Sequence, residues 1–166
     1  LKRAAGRGIP VEIWRPVADG LAILLMLVAI SWALNVPRMF NAGFYPQQFF
    51  AAVLACVLPI AFLTLPPRRH DTRDTVSVLD AVFAALAFVT VGYIAARYPE
   101  LVVQIFSRPV AVWLPGLIAT LLVLEALRRA TGWALVIIIS VFLLYALFGD
   151  IIPGRLQGRP QSWQVL

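Results

Sequence analysis

Five long apolar runs, separated by short polar connections, set the pattern of this chain: Val17 to Val36, Phe49 to Leu65, Ala81 to Ala96, Val110 to Leu127 and Trp133 to Phe148. A helix that crosses a bilayer needs about 20 residues at ~1.5 Å each, with a lower limit near 17. The first run meets that length outright. The third and fifth are short and must borrow neighbours, Val76 to Asp80 before the third and Gly149 to Ile152 after the fifth. The pattern predicts an all-α integral membrane bundle with spans over 17–36, 48–65, 79–96, 110–127 and 132–150. A bundle of four spans plus one re-entrant or interfacial piece is the alternative. A basic segment, 1–16, precedes the bundle, and residues 153–166 form an extracytoplasmic tail or the start of a continuation. Leu1 in place of Met and the ending PQSWQVL fit a piece of a longer polypeptide.

Between the third and fourth runs lies RYPELVVQIFSRP, with apolar Leu101, Val102, Ile105 and Phe106 between charged ends. That spacing gives one apolar stripe, suited to a short interfacial helix with Tyr98 at headgroup depth or to a loop packed on the bundle. Trp14, Trp32, Tyr45, Tyr93, Tyr98, Trp113, Trp133 and Trp163 fall mostly at run ends, where amphipathic rings anchor a protein at the membrane surface. Pro59 and the Pro115-Gly116 pair lie inside runs, where they kink a helix or free a carbonyl.

Composition agrees with the membrane reading. The 166 residues are 61% hydrophobic and only 13% charged, far from the roughly half and quarter of soluble domains. The single cysteine, Cys56, lies in an apolar run, so no disulfide framework or cysteine-held metal is expected. The net charge of +6 would suggest nucleic acid in a soluble protein. Here the cations sit in the connections without aromatic interleaving, which is the pattern of a cytoplasmic membrane face. The N-terminal segment, the Pro66 to Thr75 loop and the Arg128 to Gly132 turn hold nine Lys and Arg; the opposite side holds five, Arg38, Arg97, Arg108, Arg155 and Arg159. The N-terminus is therefore expected in the cytoplasm and, with five spans, the C-terminus outside.

Ionisable groups in a bilayer are costly, so each one is a candidate site. Asp19 lies a turn into the first run, Asp80 opens the third, Glu125 ends the fourth and Asp150 follows the fifth. None reaches the centre of a span, where a proton relay would need one. Glu125 stands out because Arg128 and Arg129, three and four residues on, share its helix face. The cluster reads either as an interfacial salt bridge that ends a helix, with the arginines at the headgroups, or as a contact docking this hairpin on a neighbouring subunit. The lone His70 sits in a loop beside Arg69 and Asp71, so no membrane histidine can ligate haem or a chlorophyll magnesium. With no phosphate loop, nucleophile elbow or metal-spaced cluster, the chain is expected to be neither an enzyme nor a cofactor carrier.

The stretch LLVLEALRRATGWALVIIISVFLLYALFGDIIPGRLQGR resembles the N-terminal, small-subunit-like (Q-type) membrane region of fused permeases of tripartite ATP-independent periplasmic (TRAP) transporters, especially the TAXI type. The matching residues are Leu124, Glu125, Ala126, Arg128, Arg129, Gly132, Trp133, Tyr145, Ala146, Phe148, Gly149, Pro153 and Gly154. AGFYP at Ala42 to Pro46 resembles that family's first external loop, and Pro66 to Asp80 its basic cytoplasmic loop. The resemblance implies a secondary transporter of the bacterial inner membrane, in which a periplasmic binding protein delivers a carboxylate-type solute to an ion-driven permease. It also implies that a region like this one braces a large, moving transport domain. That domain is lacking here, so the residues equally suit a free-standing accessory subunit of a respiratory or photosynthetic complex. On either reading Glu125, Arg128, Arg129, Asp19 and Asp80 are interface or structural residues, with other membrane subunits and lipids as partners and no nucleic acid.

Overall fold

A computed structural model describes residues 8–36, 45–67, 75–104 and 109–148. In chain order the elements are β1 (Gly8–Pro10), α1 (Val11–Ala33), α2 (Pro46–Thr64), β2 (Thr75–Ser77), α3 (Val78–Gln104), α4 (Val110–Thr131) and α5 (Trp133–Phe148). The molecule is an all-α membrane bundle, and α1 to α4 are each long and apolar enough to cross a bilayer. At 16 residues α5 measures about 24 Å, short of a hydrocarbon core of about 30 Å. The residues it was expected to borrow, Gly149 to Ile152, lie outside the described residues, as do His70, Asp150 and the tail.

Local chemistry sets the helix ends. Pro46 opens α2, where its missing N–H costs nothing. The Ser77 hydroxyl accepts the Leu79 N–H at 3.3 Å at the start of α3. Gly132 stops α4: its φ of 89° is open to glycine, and its N–H closes on the Arg128 carbonyl at 3.0 Å.

Three boundaries differ from the hydropathy reading. The first helix begins at Val11, because Glu12, Arg15 and Asp19 are tolerated where a helix leaves the membrane. The second difference is β1, which pairs antiparallel with β2 (Gly8 with Ser77, Ile9 with Val76, Pro10 with Thr75); the basic N-terminal segment was not expected to pair, and Val76 and Ser77 were expected to extend the third span. The third is the separate interfacial helix, which does not form as far as Gln104. Those residues instead continue α3 through Pro99, giving a 27-residue helix about 40 Å long. Ile105 and Phe106 lie outside the described residues.

The tightest helix pair is α2 with α3; α1 packs on α2, α4 on α3 and α2, and α5 chiefly on α4. The core joins Ala55, Leu58, Phe62 and Leu63 to Ala84, Ala87 and Val91, and is closed by Leu122, Ala126 and Val76. Ala84 and Ala87 let the α2 and α3 backbones approach, which is how helices associate in lipid without a hydrophobic drive. The other small residues of α3 do not join them. Ala85 is exposed, and a side chain at Gly92 would meet no atom within 4 Å. No residue of α1 is buried, so this helix is held along one side only.

Candidate functional site

The charged residues singled out in the sequence converge at one end of the bundle. Arg128 and Arg129 occupy the last turn of α4 and Asp80 the first turn of α3. There the helix macrodipoles favour a cation at the one terminus and an anion at the other. Glu125, one turn before the arginines, lies within reach of both. The Arg128 guanidinium grips it in a fork, Nε donating to Oε2 at 2.7 Å and Nη2 to Oε1 at 2.8 Å. Arg129 Nε donates to the same Oε1 at 2.8 Å. Arg129 Nη1 then reaches across to Asp80 Oδ1 at 2.7 Å, joining residues 49 apart in sequence.

Burial separates the members of this cluster. The side chains of Arg129 and Asp80 are 3% and 4% exposed, whereas those of Glu125 and Arg128 are 28% and 26% exposed. Aromatic faces cover the buried cation: its guanidinium carbon lies 5.0 Å from the Phe62 ring centre and 5.8 Å from that of Phe83. Arg128 instead lies 5.6 Å from the Trp133 ring at the start of α5. Such contacts favour Arg because its charge is planar and weakly hydrated. One buried guanidinium thus binds α2 through Phe62, α3 through Asp80 and Phe83, and α4 through Glu125.

The salt-bridge reading of the Glu125 cluster placed both arginines at the headgroups; Arg129 is instead folded inward, its side chain 3% exposed. Of the five candidate residues, four meet here. Asp19 does not: it is exposed on α1 and makes no ion pair or side-chain hydrogen bond among the described residues.

Chemically the described ion pairs of the cluster match charge for charge. Among the described residues two carboxylates face two guanidiniums, and each of their ion pairs joins opposite charges. Among the described residues no group of three or more His, Cys, Asp or Glu is placed to hold a metal. Two apolar clefts flank the cluster. One, of about 520 Å³, lies between α3 and α4 and is lined by Phe83, Leu86, Ile118, Leu121, Leu122 and Glu125. The other, of about 300 Å³, lies over α2 between α1 and α3, with Trp14 on its wall. The Trp14 indole N–H is buried and unpartnered, so this ring packs into the bundle, where only surface anchoring was expected of it.

A second polar junction, at the opposite end, escaped the sequence reading. Gln48, in the first turn of α2, is buried. Its Oε1 accepts the Tyr45 N–H at 3.1 Å, and its Nε2 donates to the Ala95 carbonyl of α3 at 3.1 Å. Rings gather round it: Trp32 stacks on Phe49 at 4.6 Å, and Tyr45 meets Tyr98 at 5.7 Å. Its only signal in the sequence is a Gln just before an apolar run, a position where polar residues are common and call for no partner.

Comparison with protein-family models, with curated proteins and with solved structures finds no match. The functional reading therefore rests on the cluster and on the residues of the sequence itself.

Proposed function

We propose that this chain is the non-catalytic scaffold part of a TRAP-type secondary transporter permease, bracing a large transport domain that takes solute from a periplasmic binding protein. The observation that carries the reading is the Arg129 junction: the cluster most suited to bind a carboxylate solute spends its cations on Asp80 and Glu125, so it serves to fix helices and not to capture a ligand. The resemblance over Leu124 to Gly154 points the same way. So does the absence of charge from α2, the middle of α3 and α5, which leaves these helices to pack against neighbours. Ala85 and Gly92, turned away from the core, give a surface for close approach by a partner helix.

On this reading the protein belongs to a bacterial inner membrane and has its N-terminus in the cytoplasm. Antiparallel pairing brings Gly8–Pro10 to the start of α3, and Asp80 brings the end of α4 to the same place, so the described residues that adjoin the cation-rich stretches of the sequence share one end. The positive-inside rule favours the cytoplasm for that end.

Purification of the chain in gentle detergent with mass identification of its companion tests the assignment. A multi-span permease partner is expected, and replacing both Ala85 and Gly92 with Leu should reduce its recovery several-fold. A respiratory or photosynthetic complex as companion would establish the accessory-subunit reading instead.

A further inference from the structure

Four prolines lie inside the described helices: Pro16 in α1, Pro59 in α2, Pro99 in α3 and Pro115 in α4. Each lacks the N–H that would bond the carbonyl four residues earlier, and its ring pushes that carbonyl aside. The carbonyls concerned belong to Glu12, Ala55, Ala95 and Ala111. Among the described residues, only that of Ala95 receives a side-chain donor, the Gln48 amide of α2 at 3.1 Å. Gln48 is itself fixed, since its oxygen accepts the Tyr45 N–H and its residue is only 7% exposed. The Tyr45 ring in turn contacts Tyr98, next to the proline.

We propose that Gln48 and Pro99 form a latched hinge: the Gln48 amide supplies from α2 the hydrogen bond that Pro99 removes from α3, and so holds the last turns of α3, Pro99 to Gln104, in line with its membrane-spanning part. With the latch closed, α3 continues as one helix through the proline, as observed, and its end is held. With the latch open, Ala95 loses its donor and α3 bends between Ala95 and Pro99. The bond couples the residues that lead into α2 to the orientation of the emergent end of α3. Any partner that pulls on Tyr45 or on Glu100 to Gln104 acts on the same bond.

The test is a cycle of Gln48→Ala, Pro99→Ala and the double variant in the full chain, with Cys56 replaced by Ala. Nitroxide labels go on cysteines placed at the exposed Phe50 and Val103. Pulsed electron spin measurement should give a narrow distance distribution when Pro99 and Gln48 are both present and a broad one for Gln48→Ala. The double variant should be narrow again, because the backbone N–H gained by Pro99→Ala restores the helical bond. In SDS titrations the Gln48→Ala change should lower the folded-to-unfolded ratio about three- to eighteenfold more with Pro99 present than in the Pro99→Ala background, in line with membrane hydrogen bonds of ~0.6 to ~1.7 kcal/mol. The lost Tyr45 cap is common to both backgrounds and cancels. An equal effect of Gln48→Ala in both backgrounds, or a distribution that stays narrow without Gln48, overturns the hinge. If Gln48→Ala alone fails to fold, rescue by Pro99→Ala supports the proposal, and failure of rescue refutes it.

Discussion

The two ends of the bundle are joined by opposite means. At one, Arg129 and Asp80 form a buried ion pair between α3 and α4 beneath the rings of Phe62 and Phe83. At the other, about 22 Å along α3, the Gln48 amide meets the Ala95 carbonyl among Trp32, Phe49, Tyr45 and Tyr98. The difference lies in what each leaves behind when broken. A lost neutral hydrogen bond strands one amide or carbonyl, which can turn towards a neighbour or a headgroup. A lost carboxylate strands a full charge in an apolar setting, and the remaining partner must drag water inward or pull its helix outward. The charged end is therefore the rigid one, and the neutral end is the one suited to give.

The sharpest way to break the contrast is Asp80→Ala, which leaves Arg129 buried with one partner. It should cost about 3–5 kcal/mol in SDS titrations of the full chain followed by tryptophan fluorescence. Replacing the pair together, Asp80→Leu with Arg129→Met, should recover most of that loss, because apolar residues of similar volume remove both charges. A double variant as unstable as Asp80→Ala would mean that the pair stabilises the bundle in its own right and not merely by mutual neutralisation.

Glu125→Ala should be milder, about 1 kcal/mol, since its side chain is 28% exposed, Arg128 can extend to the headgroups and Arg129 keeps Asp80. Under the proposed bracing role it should reduce the yield of complex more than the affinity for solute. A solute-binding titration beside a purification yield checks this, and a changed affinity at constant yield would contradict the bracing role. The smallest effect belongs to Arg97→Ala. Its 2.8 Å pair with Glu100 leaves both side chains more than half exposed, so the unfolding midpoint should stay within error.

The two ends also differ in how far they could be read from the sequence. Glu125, Arg128 and Arg129 were legible because their spacing alone puts them on one helix face. Asp80 was legible as a costly charge at a span edge, but its partner was not, since periodicity says nothing about which helices pack. The neutral end was nearly invisible. One of its groups is a backbone carbonyl, present at every residue, and its significance comes from a proline four positions later. The charges of Arg97 and Glu100 end the apolar run at Ala96, so hydropathy assigned Pro99 to a connection, read as a short interfacial helix or a packed loop, and never set it inside a spanning helix. For the same reason α1 was begun too late. Hydropathy marks where a helix meets water, whereas the backbone hydrogen bonds that define the helix continue beyond that point.

The small ribbon of β1 and β2 carries a consequence for biogenesis. Its strands flank α1 and α2, and they can meet only if both lie on the same side of the membrane. An even number of crossings must separate them, so a chain in which α1 stalls at the surface, or α2 fails to return, cannot close the ribbon. Until Thr75 to Ser77 have been synthesised, α1 has no buried residue to hold it and no strand to pair with. The three pairings of the ribbon are thus compatible with α1 and α2 both spanning the membrane and incompatible with only one of them doing so.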